Sequence, residues 1–361
     1  MADRKWKIII AGGGTGGHIF PGVAIAEEFV KRAAATILFV GTGKKLETDI
    51  LDGLGFDYCA IRVAGFKGKG PGRVLAALGK LPVSMWESYR IIRTFRPHCV
   101  IGVGGYASGP VVLMAYLLGI KTAVAEQNAL PGLANRILGK FADRVFLTYG
   151  ETKKWFPQQR TLVTGNPVRA EIAAASTVEK ERGGIFTILV FGGSQGAGAI
   201  NRAVLAALPH LHAEKLSMKI IHQTGQDDLT HVAGAYRAYA IEAEVLPFIR
   251  DMAAAYQAAD LVICRAGATS LAEITVLGKA ALLIPFPFAV DDHQTKNALE
   301  MVRSGAAVMI EEKGLTGEEM ADTISLYYHR RDLLRDMEIK SAALGNVRAA
   351  SDIVDHCVAL L

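Results

Sequence analysis

Short apolar runs rich in Val, Ile and Leu alternate along this chain with stretches of helix length. In the first half the runs are Lys7 to Ala11, Ile37 to Val40, Cys99 to Val103, Ala123 to Ala125 and Val145 to Thr148. In the second half they are Thr187 to Phe191, Ile220 to Gln223, Glu244 to Leu246, Leu261 to Cys264 and Ala281 to Pro285. Apolar strands separated by helices predict parallel sheets covered on both faces. A coarse repeat divides the pattern in two: Ile8-Ile9-Ile10-Ala11-Gly12-Gly13 and Ile188-Leu189-Val190-Phe191-Gly192-Gly193 are both strands that run into paired glycines ahead of a helix.

The pattern therefore predicts an α/β protein of two Rossmann-like domains, residues 1–165 and 166–344, with the linker near Thr164-Gly165-Asn166-Pro167. Open parallel sheets bind ligands at the carboxyl ends of their strands, so a cleft between the domains is the expected ligand site. One segment imitates a membrane span, because no charge falls between His98 and Lys121. It is broken by Gly102, Gly104, Gly105, Gly109 and Pro110, and so reads as a buried strand, a glycine-rich turn and a buried helix.

Composition agrees with this picture. The 361 residues are 51% hydrophobic and 21% charged, without low-complexity tracts, which suits two ordered domains with substantial cores. Cys59, Cys99, Cys264 and Cys357 are far apart and form no C-x-x-C pair, so buried thiols in a reducing compartment are expected. The opening residues MADRKWKIII lack the apolar core and cleavage site of a signal peptide, which predicts a cytoplasmic location. A net charge of only +5, with no nucleic-acid motif, argues against a nucleic-acid partner.

Candidate chemistry begins at Ile8, where a strand runs into Gly12-Gly13-Gly14-Thr15-Gly16-Gly17-His18. Gly12, Gly14 and Gly17 fit the G-x-G-x-x-G pattern in which bare backbone approaches a diphosphate at a helix N-terminus. A dinucleotide site also needs an acidic residue closing the second strand, and that strand ends Phe39-Val40-Gly41-Thr42. A tight turn alone leaves the surplus glycines and His18 unexplained. Gly192-Gly193-Ser194-Gln195-Gly196 is the better phosphate site, with small residues and free N–H groups at a helix start. Arg169 is either a fork for phosphate oxygens or a solvated linker charge.

Cys264-Arg265-Ala266-Gly267 opens another strand, turn and helix, and puts Glu273 in an apolar helix stretch. There it is either a buried carboxylate taking paired sugar hydroxyls or a residue on a solvated face. Asp292, His293, Gln294 and Asn297 follow a further strand end, where their polar groups suit a sugar.

Taken together, the segments GGGTGGH, GVGGYASGP, EQNALPGLANR, TGNPVR, FGGSQGA, FIRDMAAAY, CRAGATSLAEI and DDHQTKNA resemble, in order and across nearly the whole chain, the MurG family of bacterial peptidoglycan glycosyltransferases. The resemblance implies the GT-B fold, two Rossmann-like domains whose parallel sheets face each other across a deep cleft, with a helix at about 345–361 packing back on the first. It implies inverting transfer of N-acetylglucosamine from UDP-N-acetylglucosamine to lipid I, giving lipid II, at the inner face of the cytoplasmic membrane among other cell-wall synthesis proteins. No cofactor is implied, and the chain has no D-x-D metal motif.

The resemblance also assigns roles. Arg169, Ser194 and Gln195 match residues around the donor diphosphate, the Ile249 backbone matches the group that holds uracil, Ser270 lies near it, and Glu273 takes the ribose hydroxyls. Asn128 and Gln294 read the sugar, and Thr15, Gly16 and Gly17 border the donor. Gly14, Thr15, His18, Gly104, Gly105 and Tyr106 fall in the acceptor loops, with His18 the favoured base and Glu126 the second candidate. The alternative for His18 is a capping or substrate-orienting group. A UDP-N-acetylglucosamine epimerase and a non-catalytic nucleotide-sugar binder are the competing functions. Family members often carry Gln at position 293 and Thr at position 270, where this chain has His293 and Ser270.

An epimerase has no use for a lipid-facing surface, and one is expected here. Between Asp57 and Glu126 the only acidic residue is Glu87, against Arg62, Lys67, Lys69, Arg73, Lys80, Arg90, Arg93, Arg96 and Lys121. Val74, Leu75, Leu78, Leu81, Met85 and Trp86 lie among Arg73 and Lys80, a mixture suited either to an anionic membrane surface or, for the apolar members, to the core. Pro82 is expected to start a new helix.

Overall fold

Ile8, Ile9 and Ile10 lie at the centre of a sheet and are each 0% exposed, which places side chains of successive residues in two different apolar layers. The structure, a computed structural model, describes residues 6–63, 71–178, 184–193 and 196–361, with residues 33 and 71–80 described in backbone only. The chain divides into two units, Met1–Ala170 with Asn346–Leu361, and Glu171–Gly345.

The first unit carries seven parallel strands: β1 (Lys7–Ala11), β2 (Thr36–Gly41), β3 (Asp57–Ala60), β4 (Cys99–Gly102), β5 (Lys121–Glu126), β6 (Arg144–Leu147) and β7 (Thr161–Val163), in the order β3-β2-β1-β4-β5-β6-β7. Ile8 and Ile10 pack with Ile19, Val23 and Phe29 of the helix Gly16–Ala33 and with Ile353 and Val354 of the helix Ala349–Val358. Ile9 and Ala11 face the other way, onto Val111, Val112 and Ala115 of the helix Ser108–Leu117 and onto Ile92. Burying each isoleucine contributes on the order of 1.5–3 kcal/mol, so the triplet alone is a substantial anchor for the strand. The helix Ala349–Val358 is fixed at its polar edge, where Arg32 Nη2 meets Asp355 Oδ1 at 2.6 Å and Arg32 Nη1 donates to Ser351 Oγ at 2.8 Å.

The second unit carries β8 (Phe186–Phe191), β9 (Met218–Gln223), β10 (Glu242–Leu246), β11 (Leu261–Cys264), β12 (Ala280–Leu283) and β13 (Val308–Met309), all parallel, in the order β10-β9-β8-β11-β12-β13. In each sheet the chain leaves the central strand in one direction and returns to continue in the other. The direction changes between β1 and β4 in the first sheet and between β8 and β11 in the second. Loops at such a switch point diverge and leave a crevice at the carboxyl ends of the strands.

Two points depart from expectation and one agrees with it. Strands β3, β7 and β13 were not legible as apolar runs, and all three lie at sheet edges. Pro82 does not start a helix, because the helix Pro71–Phe95 runs through it. A proline there removes one main-chain donor while its fixed φ remains helical. The uncharged segment after His98 forms β4 and the helix Ser108–Leu117, and among the described residues no helix is long and apolar enough to cross a membrane.

Candidate active site

The two glycine-rich loops of the first unit are packed into each other. A β-carbon on Gly12 would stand 2.5 Å from Val103 Cγ2 and 2.8 Å from the Gly104 carbonyl oxygen, and one on Gly105, whose φ is +82°, would strike the Gly13 carbonyl. Much of the surplus glycine is therefore required by loop-on-loop contact rather than by a ligand. His18, in the first turn of the helix Gly16–Ala33, lies against this junction, since a β-carbon on Gly104 would stand 2.7 Å from its Nδ1 and Cε1. Thr15 and Tyr106 are exposed at the same strand ends, and Gly14, Gly16 and Gly17 are partly exposed there. Arg169 belongs to this unit and places its guanidinium 5.1 Å from the centre of the Phe20 ring, over the start of the same helix.

Glu126 closes β5 and is only 3% exposed. Its Oε1 accepts from the Asn128 N–H at 3.0 Å and Asn128 Nδ2 at 3.2 Å, and its Oε2 from the Gly132 N–H at 3.0 Å and Asn135 Nδ2 at 2.8 Å. Burial pushes its carboxyl up, against the downward pull of these donors. Gln127 Nε2 adds bonds to the Val103 and Ala125 carbonyls, at 3.2 Å each. The geometry makes Glu126 the organiser of the loop that carries Asn128.

In the second unit, the loop after β8 turns through a Gly196 N–H to Gly193 O bond of 3.0 Å, and the helix Gly198–Ala213 follows. Ser194 and Gln195 lie outside the described residues. Buried Gln223, at the end of β9, donates through Nε2 to the Gly193 carbonyl at 2.6 Å and accepts the Ile249 N–H at 2.8 Å. One side chain thus holds two loops in register. The Ile249 N–H is engaged inside the protein.

Glu273 is 4% exposed, which excludes the solvated-face reading. It stands on the helix Ala268–Val276 after β11, with the Tyr256 hydroxyl donating to its Oε2 at 3.2 Å, and Ser270 lies one turn earlier on the same face. Gln294 Oε1 accepts the Phe286 N–H at 3.0 Å, which fixes the turn after β12. Asn297 is 0% exposed and donates to the Ala266 carbonyl at 3.3 Å, so it braces the β11 loop instead of presenting itself to a sugar. His293 Nδ1 lies 2.8 Å from the Val290 carbonyl, and Asp292 accepts from Thr295 Oγ1 at 2.6 Å, both within their own turn.

Several organising residues had no signal in the sequence. Arg265 reaches the Ile284 and Pro285 carbonyls at 3.1 and 3.2 Å and meets Glu312 at 2.6 Å. At β9, beside the loop that follows β8, His222 lies between the Tyr236 hydroxyl at 2.8 Å and Asn201 Oδ1 at 3.1 Å, and Asn201 donates to Asp228 at 2.7 Å. Burial pushes the His222 imidazole down to about 3, against a smaller opposing pull from Asp228, so it is neutral. In the first unit, Glu47 is 1% exposed and accepts the Gly14 N–H at 2.6 Å.

Comparison with known proteins agrees with both halves of this arrangement. Residues 8–147 match the glycosyltransferase family 28 N-terminal domain and residues 187–355 the glycosyltransferase family 28 C-terminal domain. The UDP-N-acetylglucosamine--N-acetylmuramyl-(pentapeptide) pyrophosphoryl-undecaprenol N-acetylglucosamine transferase of Syntrophus aciditrophicus is 57% identical over 356 residues, 98% of this chain and 99% of that protein. The crystal structure of Acinetobacter baumannii MurG superposes with a TM-score of 0.79 at 31% identity, covering 98% of this chain and 99% of that one. A UDP-GlcNAc 2-epimerase from Neisseria meningitidis, bound to UDP-GlcNAc, reaches a TM-score of 0.68 at 14% identity over 97% of this chain and 98% of that one, which is a likeness of fold alone.

Proposed function

This chain belongs to the MurG family within glycosyltransferase family 28, and from that premise we infer how its residues divide the transfer of N-acetylglucosamine from UDP-N-acetylglucosamine to the muramyl sugar of lipid I. The observation that carries the function is 57% identity sustained over 98% of the chain. It is an inverting hexosyltransferase of the GT-B fold, and its products are lipid II and UDP.

The C4 hydroxyl of the acceptor attacks the anomeric carbon of the donor, the bond from that carbon to the UDP oxygen breaks, and inversion follows from attack on the opposite face. His18 takes the hydroxyl proton, because it is a partly exposed imidazole at the β1–β4 switch, whereas Glu126 is spent on its own loop. Gly104, Gly105 and Tyr106 border the acceptor beside Gly14 and Thr15. Negative charge growing on the departing diphosphate is met by the Ser194–Gln195 loop, the N-terminal dipole of the helix Gly198–Ala213, and Arg169. Glu273 takes the ribose hydroxyls, the Ile249 backbone holds uracil near Ser270, and Gln294 and Asn128 read the sugar, with Thr15, Gly16 and Gly17 beside it. Holding both substrates in this way supplies much of the remaining acceleration.

We place the enzyme on the cytoplasmic face of the inner membrane as a peripheral protein. Leu81, Val83 and Trp86 are 37%, 37% and 60% exposed on the helix Pro71–Phe95, and Trp86 stacks on Tyr89 with ring centres 5.5 Å apart. Exposed aromatic and aliphatic groups beside cations suit an anionic headgroup boundary. Met85 is partly exposed on the same helix, while the side chains of Arg73, Val74, Leu75, Leu78 and Lys80 lie outside the described residues.

The test is transfer of labelled N-acetylglucosamine to a lipid I analogue with stoichiometric release of UDP. His18→Ala should lower turnover about a hundredfold or more while UDP affinity stays near that of the unaltered enzyme. Near-normal turnover at saturating acceptor would remove His18 from the base role. Conversion of the donor to its 2-epimer without any acceptor would instead mark an epimerase.

A further inference from the structure

Glu47 lies in the first turn of the helix Lys45–Gly53, a position where a carboxylate ordinarily does no more than complement the helix dipole from the surface. Here it is buried, at 1% exposure, and receives five donors from three segments. Its Oε1 accepts the Gly14 N–H at 2.6 Å and the Thr42 hydroxyl at 2.6 Å. Its Oε2 accepts the Thr42 N–H at 2.7 Å, the Gly43 N–H at 3.1 Å and the Tyr58 hydroxyl at 2.6 Å. Tyr58, on the edge strand β3, in turn accepts a second-loop contact, the Gly43 N–H at 2.7 Å. Lys44 Nζ completes the clasp on the other side of the loop, donating to the Gly14 carbonyl at 3.2 Å.

Two glycines are shaped to this carboxylate. A β-carbon on Gly13 would stand 2.5 Å from Oε1, and one on Gly41 would stand 2.5 Å from Oε2. Contacts then run on without a break: the Gly13 carbonyl is packed on Gly105, and the neighbouring Gly104 is packed on the His18 imidazole. Burial raises the Glu47 carboxyl, but the hydrogen bonds from Thr42, Tyr58 and Gly14 outweigh it and hold the group below the ordinary carboxylate range, so the anion that the five donors require is the form present.

We propose that Glu47 is a positioning residue for the acceptor half of the reaction: it fixes the Gly12–Gly14 backbone against which the turn at Gly104 and Gly105 and the imidazole of His18 are packed. This rests on the assignment of that loop to the acceptor. A carboxylate is the one side chain of this length with two oxygens that only accept. Glutamine keeps the volume but turns an NH2 group toward N–H donors, leaving a buried donor facing a donor.

The experiment compares Glu47→Gln and Tyr58→Phe in the full chain, with a short-chain lipid I analogue as acceptor. Glu47→Gln should lower kcat at least about tenfold and raise the acceptor KM, while UDP affinity measured by calorimetry on the same preparation stays within about twofold. Tyr58→Phe, which removes one donor and leaves the carboxylate, should show a smaller loss in the same two parameters. In a double-mutant cycle with His18→Ala, the two losses should be less than additive if both act through one loop. The proposal is overturned if both single variants keep kcat and acceptor KM within about twofold, or if UDP affinity falls as much as turnover, which is the mark of a general loss of folding. Because His18→Ala is measured alone in the same cycle, failure of the base assignment shows itself separately: His18→Ala would then be near normal while Glu47→Gln remains impaired.

Discussion

The imidazole of His18 lies so close to Gly104 that a β-carbon there would stand 2.7 Å from both Nδ1 and Cε1. Real β-carbons essentially never come so near, and Gly104 has a φ of +93°, where an L side chain is strained whatever the space. Gly104→Ala should therefore displace His18 and lower turnover by about tenfold or more, with UDP affinity unchanged, because the proposed uridine contacts are on residues of the other unit. Steady-state kinetics beside calorimetry would check this, and full activity would show that the ring can settle elsewhere at no cost.

Glu273 should dominate uridine recognition. Glu273→Ala removes a buried acceptor and should weaken UDP binding by about 1.5 to 3 kcal/mol, the usual range for charged hydrogen bonds, in a protein that still folds. Titration calorimetry gives the answer directly, and unchanged affinity would end the ribose assignment.

His222 should make the second unit sensitive to acid. Its folded-state value, about 3, is depressed from the ordinary 6.5, so between those values the unfolded chain binds the proton and the folded protein does not. The stability it contributes is fully present above about pH 6.5 and is lost as pH falls toward 3, by at most about 1.4 kcal/mol per pH unit. Urea midpoints at pH 7, 6 and 5 should fall in that order, and His222→Gln should flatten the trend. An equally steep decline in the variant would place the acid-sensitive group elsewhere.

Leu81→Glu combined with Trp86→Glu should reduce binding to anionic liposomes and turnover of full-length lipid I, while turnover of a short-chain soluble acceptor largely survives. The attachment should weaken with added salt, since basic residues near a bilayer contribute about 1 kcal/mol each through a screened field. Equal loss on both acceptors would mark these residues as structural supports.

Most strands that could be read from the sequence are buried on both faces, the edge strand β10 being the exception. β1, β8 and β11 are continuous apolar runs because helices cover them on both sides. Asp57–Ala60, Thr161–Val163 and Val308–Met309 each pair on one side only, so nothing obliges them to be apolar throughout. The candidate site was legible in a similar, partial way. Glycine pairs after strands marked both switch points, but the sequence could not tell a glycine kept bare for a ligand from Gly12 or Gly105, kept bare for the opposite loop. Glu47, Gln223 and Arg265 carry no signal in the sequence because each acts on backbone groups distant along the chain, and a polar residue that braces a loop has no periodic signature. Asn297 is another such residue, whose bond to the Ala266 carbonyl has no counterpart in any sequence pattern.

The return of the chain to its first unit has a consequence for synthesis on the ribosome. Asn346 donates its amide to the Thr164 carbonyl at 2.8 Å, and the helix Ala349–Val358 then covers Ile8 and Ile10. These contacts are made by residues translated only after all of Glu171–Gly345. The nascent first sheet therefore keeps one apolar face open until Glu171–Gly345 has been translated, which is the interval in which the young chain is most exposed to aggregation.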